Sequence, residues 1–210
     1  MNITDAIKSV TTGMPALITG GQPGYRAGNE KLAWNKPELV GSNVVSVQSE
    51  AFENGSAIPF KYSADGLGIS PPLSWSHLPQ GTQSVAVVVE DPDAPTPEPF
   101  VHWLLYNIPA GINSIPENVG HDATISEIGG AMQGKNSSLK IGWTGMAPPK
   151  GDTPHHYHFQ VFALERALDL KPKAGRTELF HAMAGHVIGR GEIMGTYQRQ
   201  PANSQPVNTQ

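Results

Sequence analysis

The 210-residue chain has no cysteine, which rules out both a disulfide framework and a thiolate metal centre. Charge is scarce as well: charged residues make up 15% of the chain and the net charge is −4. No segment gathers Lys and Arg as neutralising a phosphate backbone would require, so no nucleic acid partner is expected. No apolar run approaches the roughly 20 residues needed to cross a bilayer, and the chain is not expected to span a membrane. Near the N-terminus stand one early lysine, Lys8, and a short apolar patch, Met14–Thr19, poor material for a signal peptide. A cytoplasmic location is the expectation. Repeats and heptads are absent, and no Gly-x-Ser-x-Gly elbow appears, which disfavours a serine hydrolase of the usual α/β type.

Gly (23) and Pro (19) are abundant, together a fifth of the chain. Unbroken, such a composition would point to disorder, but apolar runs such as Val85–Val89 and Phe159–Leu164 interrupt it regularly. The length suits one domain with a sizeable core. Residues 1–42 lack periodicity and read as an N-terminal arm or extension, 43–200 as a single domain, and 201–210 as a frayed tail.

Strand signals recur through the domain. Val44–Ser49 leads to Asn54-Gly55, a hairpin dipeptide, with Ile58–Tyr62 as the returning strand. Ser70–Trp75, held extended by Pro71 and Pro72, suits an edge strand or a packed loop. Ser84–Val89 is continuously apolar, as a strand buried on both faces should be. Phe100–Ile108 and His155–Leu164 are further strands. Residues 116–151 read as a long polar loop that lines a pocket, and Thr177 as the cap of a helix carrying Leu179, Met183 and Val187. The class implied is mostly β, an antiparallel β-sandwich with a few peripheral helices.

Three segments carry chemistry. Asp91-Pro-Asp-Ala-Pro95 is a stiff acidic turn at the end of a buried strand; a site role is assigned to Asp91 and a turn-capping role to Asp93. His102 interrupts an apolar strand, where a lone histidine is ordinarily a satisfied core residue, and it gains weight only from its company. In His155–Phe162 the strand period of two sends His155, Tyr157, Phe159 and Val161 to one face and His156, His158, Gln160 and Phe162 to the other. His155 and the Tyr157 hydroxyl then project together from the rim of a core face, while His156 and His158 belong to an exposed polar face. Their alternation could suit a metal, but no third ligand stands at a recognisable spacing, and no metal or cofactor is expected. Gly129–Lys135 has phosphate-loop spacing, yet Asn136 replaces the magnesium-binding hydroxyl and no helix-forming segment follows.

In this order, Ser70-Pro-Pro-Leu-Ser-Trp75, Asp91–Pro95, His102-Trp103, Gly134-Lys-Asn-Ser137, Pro148-Pro149 with Gly151, and His155-His-Tyr157 make the chain resemble the phosphatidylethanolamine-binding protein family, in its bacterial and archaeal Raf kinase inhibitor-like branch. The resemblance covers roughly Asn43 to Arg199. It implies a β-sandwich with a small cavity for phosphate, phosphoryl head groups or carboxylates, with Asp91, His102, His155 and Tyr157 at the pocket positions and Pro95 and Pro148 in its walls. It also implies a tendency to form homodimers. Two departures bear on the ligand: Gly142–Met146 replaces a more usual Gly-Tyr-x-Gly-Pro, and Val101 stands where many relatives carry an aromatic residue. The function so implied is that of a soluble binding protein without catalytic residues. The alternatives are a hydrolase or dehydratase using the same Asp/His pocket, or an inhibitor of a protease or kinase.

Overall fold

A computed structural model describes residues 25–200. The expected frayed tail and the Met14–Thr19 patch lie outside the described residues. Ten strands and one α-helix follow in chain order: β1 Asn43–Val44, β2 Ser46–Gln48, β3 Leu73–Ser76, β4 Ser84–Asp91, β5 Phe100–Pro109, β6 Ser114–Ile115, β7 Thr124–Ile125, β8 Ala131–Gln133, β9 His155–Leu164, α1 Arg176–Met183 and β10 Val187–Tyr197. They form a seven-stranded sheet in the order β1-β10-β9-β4-β5-β8-β7 and a three-stranded sheet, β2-β3-β6. No helix among the described residues is long and apolar enough to cross a membrane.

The central place of β4 follows from its composition. All eight of its residues are buried, between β9 and β5. Val85, Val87 and Val89 join Leu73, Trp75 and Ile115 of the small sheet in one core cluster. Ala86 and Val88 face the other way, into a cluster with Leu39 and with Leu179, Phe180 and Met183 of α1. A strand covered on both sides needs no polar face, and each buried valine contributes about 1.5–3 kcal/mol relative to exposure. The alternation in β9 divides as its period requires. Tyr157, Phe159 and Val161 enter the first cluster and Phe162 the second.

β10 is the longest strand, and its glycines explain its neighbours. A methyl group at Gly191 would fall on the carbonyl oxygen of Val45, at Gly189 it would meet Pro79 at 2.9 Å, and at Gly195 it would press on Ile58 and Phe52. These bare positions let residues 41–58 run close along β10. β1 pairs there in parallel, so the large sheet is mixed and departs from the purely antiparallel expectation.

Four local expectations are corrected. Asn54-Gly55 does not turn a hairpin. The Asn54 side chain accepts from Met194 N–H at 2.9 Å and Gly55 N–H donates to the Met194 carbonyl at 2.7 Å, while Phe60–Tyr62 is a 3-10 turn entered from Pro59. Strand β3 starts only after Pro71-Pro72 and is the middle strand of its sheet, since both prolines precede the positions that need N–H donors. The 116–151 segment is interrupted by β7, a 3-10 turn and β8; β8 runs through the phosphate-loop lookalike and removes it as a phosphate cradle. Helix α1 begins one residue before Thr177 and is capped at Gly175, whose N–H donates to the Glu178 carboxylate, and Val187 belongs to β10.

Residues 25–42 lie against the second core face as three short 3-10 turns, Asn29–Lys31, Ala33–Asn35 and Pro37–Leu39. The fully buried Glu90 receives Ala33 N–H at 2.8 Å, the Gln160 amide at 2.9 Å and Arg176 Nε at 2.7 Å. Trp34 N–H donates to Gln160 at 2.6 Å, and Arg190 stacks on the Trp34 ring. Further upstream, Ala27 N–H and Gly28 N–H donate to the carbonyls of Ala94 and Pro92, which brings Arg26 beside the acidic turn.

Candidate functional site

Asp91, His102, and the pair His155 and Tyr157 come from three neighbouring strands, β4, β5 and β9, and meet at one end of the large sheet. His155 Nδ1 lies 2.8 Å from Asp91 Oδ2. The other oxygen, Asp91 Oδ1, accepts the Asp93 backbone N–H at 2.8 Å, closing the acidic turn on itself. One carboxylate thus shapes its own loop and aims an imidazole from the adjacent strand. Asp93 Oδ2 accepts His156 N–H at 2.8 Å and faces His156 Nδ1 at 2.7 Å; it ties the turn to β9, and the turn-capping bond expected of it is made by Asp91 instead.

His102 has its tautomer fixed. Its Nδ1 lies 2.7 Å from the Thr144 carbonyl, which can only accept, so Nδ1 carries the proton and Nε2 keeps a lone pair when the ring is neutral. Burial lowers its pKa, and the Asp91 charge and the Thr144 carbonyl offset this only in part. The ring packs edge-on to Tyr157, centroids 5.1 Å apart, and against Phe100 and Trp143. Tyr157 is fully buried, and its hydroxyl has no hydrogen-bond partner among the described residues. Burial first, then the charges of Asp91 and Asp93, push its pKa far above the usual phenol range, so the group is a neutral donor.

The second nitrogen of His155 also faces an acid. His155 Nε2 lies 3.4 Å from Asp152 Oδ2, and Asp152 Oδ1 holds Arg26 at 2.7 Å. Burial opposes charge on His155, but hydrogen bonding to Asp91, the Asp91 charge and the contributions of Asp152 and Asp93 outweigh it and raise the pKa. Asp152 is itself held below the usual carboxylate range: burial acts in the other direction, but Arg26, the Thr153 N–H and His155 prevail.

The four residues singled out in the sequence are thus brought together. Pro95 is half-buried in the turn after Asp91, and Pro148 is buried, its carbonyl 3.5 Å from Arg199; neither is hydrogen-bonded to the histidines. His156 is exposed beside Asp93, and His158 pairs with Glu192 at 3.2 Å. Among the described residues no group of three or more potential ligands is placed to hold a metal. Sequence reasoning missed Arg26, Asp152 and Thr144. Asp152 stands in a glycine- and proline-rich loop with no periodicity to orient it, and Thr144 acts through its backbone carbonyl. A broad groove lined by Lys61, Tyr62, Leu73 and Ile115 involves none of these residues. Its Lys61 and Tyr62 are both satisfied by Glu117. Two buried side-chain donors have no partner among the described residues, Trp75 Nε1 in β3 and the Tyr157 hydroxyl, and only Tyr157 stands beside the histidines and Asp91.

Comparison with known proteins identifies the family. The family model described as phosphatidylethanolamine-binding protein matches residues 48–198. A UPF0098 protein of Pyrococcus horikoshii is 43% identical over 152 residues, 72% of this chain and 76% of that protein. One from Methanothermobacter thermautotrophicus is 38% identical over 155 residues, 74% of this chain and 99% of that one. Among solved structures, Escherichia coli YbcL, described as a member of the mammalian PEBP family, superposes with a TM-score of 0.70 at 34% identity, covering 74% of this chain and 99% of its own. A phosphatidylethanolamine-binding protein homologue from Chlamydia trachomatis gives 0.67 at 37% identity, covering 76% and 100%. With the match running through β4, β5 and β9 and the residues they carry, the chain belongs to the phosphatidylethanolamine-binding protein family.

Proposed function

We propose that the chain is a binding protein whose pocket beside His102, His155 and Tyr157 takes the oxyanion of a small ligand, a phosphate, phosphoryl or carboxylate group, without reacting with it. The observation that carries this reading is the Tyr157 hydroxyl, fully buried and without a partner among the described residues. A buried donor left unpaired costs about 1–3 kcal/mol, and an anionic oxygen is the acceptor that relieves it best. Stiff proline-bearing turns around Asp91 and Pro148, set in a sandwich-like frame, keep the ordering cost of binding low. Both nitrogens of His155 face carboxylates, which suits this imidazole to donating to an anion rather than to serving as a general base. Titration with phosphate, phosphoethanolamine and acetate tests the reading. Tyr157→Phe is expected to weaken binding by about tenfold, the worth of one charge-assisted hydrogen bond; His102→Ala is expected to weaken it only at acid pH, where Nε2 gains the proton that lets it donate. Binding unchanged in both variants would sink the assignment.

A further inference from the structure

The resting partner of His155 Nε2 is a carboxylate of the chain itself. Asp152 places Oδ2 3.4 Å from that nitrogen and Oδ1 2.7 Å from Arg26. The Asp152 side chain is 22% exposed while His155 is 1% exposed, so the carboxylate sits at the mouth of the site and can turn toward solvent, whereas the imidazole cannot. Arg26 lies ahead of the matched residues 48–198, and is carried to this position by the bonds from Ala27 and Gly28 to the acidic turn. Its guanidinium therefore belongs to the arm and meets a site built from the sheet.

Charge balance limits what can replace Asp152. With His155 protonated, the cations His155 and Arg26 match the anions Asp91 and Asp152 to which they are bonded; Asp93, bonded to His156 outside this set, adds a further negative charge nearby. Turning Asp152 out leaves one positive charge in the bonded set, with two donors, His155 Nε2–H and the Arg26 fork, oriented toward the place it held. A planar monoanion restores neutrality and can bridge both donors. A dianion would bring a second negative charge into a half-dry site beside the buried Asp91 carboxylate, at an unfavourable cost.

We infer that Asp152 is a built-in competitor for the anion site, and that the site selects monoanionic carboxylates, which displace Asp152 and take Arg26 of the arm as their second donor. This rests on the anion-pocket reading given above and narrows it to a ligand class and two specificity-determining residues. The carboxylate is recognised by shape and charge, whether it belongs to a free small acid or to the C-terminus of a peptide.

The test is an NMR titration of the full chain with acetate, a C-terminal dipeptide and inorganic phosphate, at pH 6 and pH 7.5. Asp152→Asn preserves shape and removes the competing charge, and it is expected to bind acetate about tenfold more tightly than wild type. Arg26→Gln is expected to bind about tenfold more weakly, with Arg26→Lys between the two, because a lysine keeps the charge and loses the fork. Wild type is expected to prefer acetate over phosphate, the more so at pH 7.5, where phosphate carries more charge. The dipeptide arm separates the two carboxylate sources. Tighter binding by Arg26→Gln would mean that Arg26 only latches Asp152 shut, and would overturn its role as donor. An Asp152→Asn variant that binds no better than wild type would overturn the competitor. If Tyr157→Phe still weakens binding in that case, the anion pocket stands and only this inference fails; if no variant binds any anion, both fall. Thermal unfolding of each variant identifies losses that come from misfolding. Arg26→Lys and Asp152→Asn, conservative changes at partly exposed positions, keep both halves of the inference open to refutation.

Discussion

His155 and Asp91 meet across 2.8 Å with side chains 1% and 5% exposed, a charge-competent pair almost wholly removed from water. The raised pKa of His155 and the lowered pKa of His102 lie on the same small site and give stability opposite pH dependences. For His155, the folded chain holds the proton more tightly than the unfolded chain, whose histidines titrate near 6.5. That contribution is complete below about 6.5 and disappears as pH rises through the raised folded value. For His102 the unfolded chain holds the proton better, so its contribution is lost as pH falls below about 6.5 toward the lowered folded value.

Replacing Asp91 by Asn is expected to cost on the order of 3 kcal/mol at pH 6, because it leaves a buried imidazole with half its counter-charge. The gap should narrow as pH rises through the raised value of His155, where the imidazole loses its charge. The groups facing this imidazole are Asp91, Asp93, Asp152 with its partner Arg26, and His102. Urea unfolding at unit pH intervals reads the gap; a difference constant across the range would show that the pairing of charges is not its source.

Tyr157→Phe should leave stability unchanged or raise it by up to about 1 kcal/mol, since the hydroxyl it deletes is buried and unpaired among the described residues. The same variant is expected to bind anions less well. Denaturant unfolding checks the first half, and a loss above about 1 kcal/mol would point to a partner for the hydroxyl.

Gly191→Ala is expected to destabilise by about 2–3 kcal/mol through overpacking, because the new methyl group meets the Val45 backbone. Gly111→Ala, with nothing within 4 Å of its Cβ position, should stay within about 0.5 kcal/mol of wild type. Equal effects at both positions would show that close approach is not what requires glycine in β10.

Glu90→Gln removes the charge that holds Arg176 at 2.7 Å and weakens the acceptor for Ala33 N–H at 2.8 Å. A cost of about 3 kcal/mol is expected, together with faster tryptic cleavage after Lys31 as the arm loosens. Mass spectrometry of timed digests checks this; unchanged cleavage there would place the arm's anchorage elsewhere, at Trp34 and Arg190.

How much of this was legible in the sequence depended on whether a pattern had one cause or two. Val85–Val89 reflects a single requirement, burial on both faces, and appears in the structure as read. The alternation in β9 places His155 and Tyr157 on one face as read, but the opposite face is exposed only at His156, with His158 half-buried and Gln160 and Phe162 buried. β10 was missed because Gly189, Gly191 and Gly195 serve close approach by residues 41–58, which erases the side-chain period that marks a strand. The Asn54-Gly55 hairpin failed because Asn54 and Gly55 found their partners in β10 rather than in a returning strand. In the site, Asp91, His102, His155 and Tyr157 carry their chemistry in their side chains and stood out. Thr144 acts through its backbone, and Arg26 matters only through its reach from the arm.

The large sheet ends on one side in β1 and on the other in β7, each only two residues long. A foreign strand that tried to extend the sheet would find at most two residues of ladder at either margin. Among the described residues the large sheet therefore resists backbone-templated aggregation at both margins, and copies of this chain that associate there meet through side-chain surfaces rather than by continuing that sheet.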